Sequence, residues 1–118
     1  MKEETTNWIR RAERDLRAAK NSFTSEDYEW SVFQCQQSAE KALKAFILEK
    51  TGKLRKIHDL VELNKNVDLP ENLLKGIKEL TQAYVYARYP DVEQKINIKE
   101  KAAGFLEIAE EVLKWVRK

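Results

Sequence analysis

A group of side chains able to bind a phosphate lies at Arg88-Tyr89-Pro90-Asp91. The guanidinium of arginine presents N–H donors in one plane, which suits phosphate oxygens, and an aromatic ring can stack on a nucleobase. Pro90 fixes its own backbone and restricts the residue before it, so we expect a rigid bend here. Two interpretations are open. Arg88 grips a phosphate while Asp91 orients it and a tyrosine stacks on a base, or Arg88 and Asp91 form an ion pair that only holds the turn.

A second polar group lies earlier in the chain, where Gln36, Glu40 and Lys44 follow one another at four-residue steps. This spacing places them on one face of a helix, with Glu40 and Lys44 in the favourable order for an ion pair. The face is either solvated or forms the polar wall of a cleft. In the second case, amide groups and Lys41 or Lys44 would meet a nucleotide.

His58 is the only histidine, and histidine is the side chain that most readily exchanges protons near neutral pH. No second histidine and no obvious nucleophile lies beside it, so capping or packing is favoured over catalysis. Cys35 falls on an apolar stripe and is predicted to be inert core. The sequence has no metal-ligand cluster, glycine-rich phosphate loop or nucleophile elbow, so no metal or cofactor is expected.

The composition limits the class of protein. The 118 residues are enough for one domain spanning 1–118, and the 36% of charged residues nearly cancel to a formal charge of +2. That charge is too small to indicate a polyanion partner by itself, so any nucleic-acid site must be local. A single cysteine, no secretory segment at the start and no apolar run long enough for a bilayer predict a soluble, cytoplasmic protein.

Apolar residues recur at three- and four-residue steps along most of the chain, which indicates amphipathic helices. We predict helices over 5–23 and 28–50, a short helix over 58–63, a helix with Pro70 at its first position, and a last helix from Asn97 to the end. Residues 24–27 are expected to supply capping oxygens, and Gly52 to stop the second helix. Pro90 is expected to break the fourth helix.

These elements predict an all-α fold, an up-and-down bundle of four longer helices and one short helix. The second helix also carries Trp30 and Phe33 away from its main apolar stripe. They either form a surface for a homodimer or pack beneath the first or last helix of the same chain.

The ordered set of motifs resembles the HEPN family, named for nucleotide binding in higher eukaryotes and prokaryotes. The motifs are Ala12-Glu13-Arg14-Asp15-Leu16, Tyr28-x-Trp30, Gln36-Gln37-Ser38-Ala39-Glu40-Lys41-Ala42-Leu43-Lys44-Ala45, His58-Asp59-Leu60 and Ala87-Arg88-Tyr89-Pro90-Asp91. The resemblance implies a compact helical bundle that is commonly dimeric. It also implies a gene often found beside a minimal nucleotidyltransferase, with which the protein acts as a toxin–antitoxin pair.

Many members of that family are metal-independent ribonucleases whose motif is an arginine followed, after four to six residues, by a histidine. Arg88 matches the arginine, but Glu93, Gln94 and Lys95 stand where the histidine would be. A guanidinium binds phosphate but stays protonated, so it cannot accept a proton from a ribose hydroxyl. The resemblance therefore implies phosphate binding, and the missing histidine argues against cleavage.

The sequence accordingly predicts a non-catalytic nucleotide- or RNA-phosphate-binding module that acts with itself or with a nucleotidyltransferase. The predicted binding residues are Gln36, Glu40, Lys41, Lys44, Arg88, Tyr89 and Asp91. One alternative is an endoribonuclease in which His58 replaces the missing histidine beside Arg88. Another is an adaptor that presents the second helix to a partner protein and binds no nucleotide.

Overall fold

A computed structural model describes residues 1–83 and 97–118, which contain five helices. They are α1 (Glu3–Thr24), α2 (Tyr28–Thr51), α3 (Leu60–Asn64), α4 (Glu71–Leu80) and α5 (Ile98–Val116). Across these two ranges the structure has no strand, and the predicted all-α bundle is confirmed. The bend at Arg88-Tyr89-Pro90-Asp91 and the predicted break at Pro90 lie outside the described residues.

The first two helices form an antiparallel pair whose apolar stripes face each other. Ala12, Leu16 and Ala19 of α1 and Val32 and Ala39 of α2 are all buried, as their spacing predicts. The small side chains allow the two backbones to approach closely. Two buried hydroxyls join the helices, because Ser38 Oγ donates to the carbonyl of residue 12 at 2.7 Å and Ser31 Oγ to that of residue 19 at 2.8 Å.

The last helix covers the other side of α2. Phe105, Val112 and Leu113 of α5 are buried in the same core as α2 and α4. Near the end of the bundle, the rings of Phe46 and Trp115 pack with their centroids 5.1 Å apart. Helix α2 is therefore enclosed along much of its length and forms the centre of the bundle.

The helix ends agree with the sequence in three of five places. Gly52 ends α2 in the left-handed conformation at φ 75°, a geometry that glycine adopts without strain. Asp59 caps α3 and Asn97 caps α5, each through a side-chain oxygen that accepts from backbone N–H groups. The predictions that residues 24–27 supply capping oxygens and that Pro70 is the first helical residue are wrong.

Asp27 precedes α2 but its side chain makes no capping hydrogen bond. Its backbone lies at φ −90° and ψ 67°, outside the extended region from which a cap reaches the helix, because its N–H is turned toward the carbonyl of Ser22 at 2.8 Å. Pro70 is the residue before α4 and not its first helical residue. Its ψ of 150° is extended, while its carbonyl accepts from Leu74 and so closes the first turn.

Trp30 leaves 54% of its surface exposed and meets Phe33 edge to face, with centroids 6.0 Å apart. Packing beneath a neighbouring helix is therefore wrong for Trp30, and the homodimer stays a prediction. In the described ranges, none of the helices combines the length and the apolar character needed to span a bilayer.

Candidate functional site

An open cleft with a volume of about 590 Å³ lies between α2 and the segments that flank α3 and α4. One wall is the polar face of α2, and the others come from the connector before α3 and the turn after α4. The described lining residues are Phe33, Gln36, Gln37, Glu40, His58, Asp59, Thr81 and Gln82. The cleft thus combines one aromatic ring with amide, carboxylate, hydroxyl and imidazole groups.

Glu40 lies at the base of this cleft and is only 4% exposed. A buried carboxylate is costly unless it is paired, and here Lys44 Nζ lies 3.1 Å from Oε2 while Gln36 Nε2 donates to Oε1 at 3.2 Å. Lys44 and Gln36 are themselves buried. The face formed by these three residues is therefore buried and is not a solvated surface. Together with His58, we call them the Glu40 network.

Gln36 also ties the connector to α2. Its Nε2 lies 3.3 Å from the carbonyl oxygen of His58, and its Oε1 accepts from Gln37 Nε2 at 2.8 Å. The amide is therefore shared between the carboxylate of Glu40 and the backbone of a segment 22 residues away. This contact fixes the wall of the cleft that carries His58.

His58 does not have the capping or packing role that the sequence favoured. Its Nδ1 lies 2.9 Å from Glu40 Oε2, yet 81% of its side chain is exposed. Packing is therefore wrong for His58, and so is capping, because Asp59 Oδ1 accepts from the N–H groups of Val61 and Glu62. The buried carboxylate orients an exposed imidazole, and no contact to its Nε2 occurs within 1–83 and 97–118.

Lys41 and Lys44 do not belong to the cleft lining. Lys41 Nζ pairs with Asp15 of α1, and both side chains are about one-fifth exposed. Lys44 points into the Glu40 network, with its Nζ 5.9 Å from the ring centroid of Trp8. Of the predicted binding residues that the structure describes, Gln36 and Glu40 line the cleft, Lys44 is paired with Glu40 beneath it, and Lys41 is paired with Asp15 of α1.

The remaining predicted residues, Arg88, Tyr89 and Asp91, lie outside the described residues. Cys35 is buried as predicted, and desolvation raises its pKa from 9.0 to about 12, so its thiol is inert. Over the described ranges no three residues of the histidine, cysteine and acidic types lie close enough together to hold a metal ion.

The sequence did not single out Phe33, Gln37, Thr81 and Gln82 as a site. Gln37 was within a quoted motif, and the turn after α4 carried no distinctive pattern. Thr81 and Gln82 reach the cleft because α4 ends at Leu80 and the chain turns there toward α2. Their contribution depends on tertiary placement, which local spacing does not contain.

The helical bundle agrees with the comparison with known families. Residues 5–118 match the family model described as the HEPN domain. The chain therefore belongs to the HEPN family, and the resemblance inferred from its motifs is confirmed.

Individual relatives support this assignment. A protein of Methanocaldococcus jannaschii named "Putative toxin MJ0142" is 30% identical over 110 residues, which are 89% of this chain and 73% of that protein. The crystal structure of TT1696 from Thermus thermophilus is similar with a TM-score of 0.87 and 30% identity over 98% of both chains. The structure of ST0689, titled an archaeal HEPN homologue, has a TM-score of 0.78 and 32% identity over 99% of this chain and 97% of that one.

Proposed function

We propose that this protein is a non-catalytic HEPN module that binds a nucleotide, or a nucleotide unit of RNA, in the cleft beside the Glu40 network. The observation that carries the proposal is the composition of the cleft wall, where Phe33 offers an aromatic ring beside the amides of Gln36 and Gln37. Nucleobases are bound by stacking on rings and by hydrogen bonds to amide groups.

The proposal assigns the phosphate to Arg88. The described lining offers no free cation of its own, since Lys44 is paired with Glu40 and lies beneath the surface, and Asp59 adds a negative charge. A base-binding wall therefore needs a separate cation for the phosphate. In sequence, Arg88 follows the cleft residue Gln82 by six positions, whereas Arg55, three positions before His58, is hydrogen-bonded to Asn66.

A titration tests the site. Mononucleotides and a short single-stranded RNA are titrated by calorimetry into the native protein, Arg88→Ala, Gln37→Ala and the control Arg10→Ala, which removes an exposed arginine of α1. We expect Arg88→Ala and Gln37→Ala to weaken binding about tenfold or more, about 1.4 kcal/mol, and the control to bind normally. Absence of binding by the native protein, or equal binding by all four, refutes the site.

The oriented imidazole favours a second candidate function, a metal-independent endoribonuclease. A carboxylate that holds Nδ1–H of a histidine leaves Nε2 to act as a base, as in the hydrolase triads. Glu40 and His58 have this relation, and the imidazole is exposed to the cleft. In this candidate, His58 takes the proton of a ribose 2′-hydroxyl and Arg88 binds the adjacent phosphate.

RNA cleavage in the presence of a chelator separates the two functions. The enzyme candidate predicts cleavage that His58→Ala abolishes and that Glu40→Gln reduces, whereas Asp59→Asn, a neighbouring carboxylate change, leaves it nearly intact. Intact RNA after prolonged incubation with the native protein contradicts this candidate and agrees with the binding module.

The proposal includes a protein partner, a minimal nucleotidyltransferase in a toxin–antitoxin-like pair, and a homodimer. The relative whose name describes it as a toxin supports this setting, and the exposed ring of Trp30 is available for a protein contact. Co-expression with the nucleotidyltransferase of a neighbouring gene, followed by sedimentation, tests both. A monomer that does not associate with it contradicts this part of the proposal.

A further inference from the structure

A second groove adjoins the cleft and shares Gln82 with it. It has a volume of about 360 Å³, and its described lining consists of Lys75, Lys78, Glu79, Gln82 and Lys101. The first two lysines lie on α4, and Lys101 lies near the start of α5. We call this the lysine groove. Its three cations face one carboxylate, so the groove is locally positive although the whole chain is nearly neutral.

The three lysines of the groove are exposed and form no ion pair within the described ranges. Some other exposed lysines are paired. Lys20 pairs with Glu110 at 3.5 Å and Lys65 with Glu62 at 3.0 Å. Glu79 is the one acid in the described lining of the groove, so three cations share one carboxylate, an arrangement that an external anion can stabilise.

The spacing favours a chain of phosphates over a single one. Lys75 and Lys78 are three residues apart on α4, about 4.5 Å along its axis, and Lys101 on α5 lines the same groove. Three cations on two helices can each meet a separate phosphate, whereas a mononucleotide carries its phosphate at one end only. A single strand can place one nucleotide in the cleft and its flanking phosphates along the lysines.

We infer that the lysine groove binds the phosphodiester backbone of a single-stranded RNA whose adjacent nucleotide occupies the cleft. The inference rests on the proposed function and specifies its ligand class as an oligonucleotide. Lysine supplies a point charge to each phosphate without reading sequence, so the groove adds affinity and salt dependence and leaves base selection to the cleft.

The test compares two triple variants of equal charge. Lys75→Gln/Lys78→Gln/Lys101→Gln alters the groove, whereas the control Lys53→Gln/Lys114→Gln/Lys118→Gln removes three exposed lysines elsewhere. Circular dichroism verifies that both fold. Binding of a labelled random-sequence RNA of about ten residues, and of an equimolar mixture of the four mononucleotides, is measured over a range of salt concentrations.

We expect the groove variant to bind the RNA about tenfold more weakly at low salt, and the slope of log affinity against log salt to fall by about 2. Mononucleotide binding stays unchanged, and the control variant resembles the native protein. Native-like RNA binding by the groove variant overturns the inference while mononucleotide binding still supports the cleft. Equal losses in both triple variants also overturn it, because they indicate a general charge effect.

Failure of the proposed function gives a different result. If the native protein binds neither mononucleotides nor RNA, the cleft is refuted and the groove inference falls with it. If the groove variant instead loses a co-expressed protein partner and keeps its RNA affinity, the lysines form a protein interface and the inference is wrong.

Discussion

Two regions of the bundle hold helices together by different means. On one side of α2, the contact with α1 is made by small side chains and two buried hydroxyls, with Ser31 and Ser38 donating across the interface. On the cleft side, the Glu40 network buries a carboxylate, an ammonium group and an amide. The first region can lose one contact at modest cost. The second is more sensitive, because removing Glu40 or Lys44 leaves the other buried charge uncompensated.

The largest expected effect is therefore in the Glu40 network. Glu40→Ala leaves Lys44 buried without its counter-ion and should lower the free energy of unfolding by about 3–5 kcal/mol. Urea denaturation measures the change. The exposed ion pair between Glu62 and Lys65 offers a control. Glu62→Ala breaks this surface pair and should lower the free energy of unfolding by less than about 1 kcal/mol.

A double variant sharpens this result. Glu40→Met/Lys44→Met removes both charges and keeps their volume, so it should recover most of the stability that Glu40→Ala loses. If Glu40→Ala is no more destabilising than Glu62→Ala, burial does not make the Glu40–Lys44 pair more important to stability than an exposed pair.

The close packing between α4 and α5 gives the next effect. A Cβ at Gly76 would lie 2.9 Å from Ile108 Cγ2 and 3.0 Å from Cγ1, so Gly76→Ala overpacks this contact. Ile108 is β-branched, so its side chain has few alternative rotamers. We expect the free energy of unfolding to fall by about 1–2 kcal/mol, even though alanine has a higher helix propensity than glycine. Thermal unfolding monitored by circular dichroism measures it.

Gly104 is the matched control, because a Cβ there meets nothing within 4 Å. Gly104→Ala should stabilise α5 by up to about 1 kcal/mol. Adding Ile108→Ala to Gly76→Ala creates room and should offset the overpacking. Equal stabilisation by both glycine substitutions contradicts the close approach.

A smaller effect is expected between α1 and α2. Ser38→Ala removes a hydrogen bond to the carbonyl of Ala12 and should cost about 1 kcal/mol in urea denaturation, since that carbonyl lies within a helix. Thr24→Ala, which removes an exposed hydroxyl bound only to its own helix, should change the stability by less. If Ser38→Ala lowers the free energy of unfolding as much as Glu40→Ala does, the two regions do not differ in their sensitivity to the loss of one group.

The same contrast explains what the sequence could predict. The apolar stripes of α1, α2 and α5 follow from the helical period, which is local, and they are confirmed. The sequence also placed Gln36, Glu40 and Lys44 on one face. It could not show that this face is buried, because that burial depends on the connector and on His58, which meets Glu40 across 18 residues of chain.

Cap geometry was predicted less well for a related reason. Asp27 and Pro70 have residue types that favour helix starts, but the turn before α2 directs Asp27 elsewhere and Pro70 lies one position early. Residue type indicates a cap, whereas its hydrogen bonds depend on dihedral angles that the flanking turns impose. The cleft residues Thr81 and Gln82 were missed because their position follows from where α4 ends.

The smallest expected effect concerns an exposed carboxylate, which contrasts with buried Glu40. A hydrogen bond from the backbone N–H of Lys2, 2.9 Å from Glu49 Oε1, is the main cause that lowers the pKa of Glu49 below 4.5. A lowered folded-state pKa means that this contact contributes stability above the unfolded pKa and loses it as the pH falls through the folded value. The free energies of unfolding of the native protein and of Glu49→Gln, measured as the pH is lowered, should therefore differ above about pH 4.5 and converge below it. Parallel curves at all pH values would show that Glu49 does not join the start of α1 to the end of α2 through its charge.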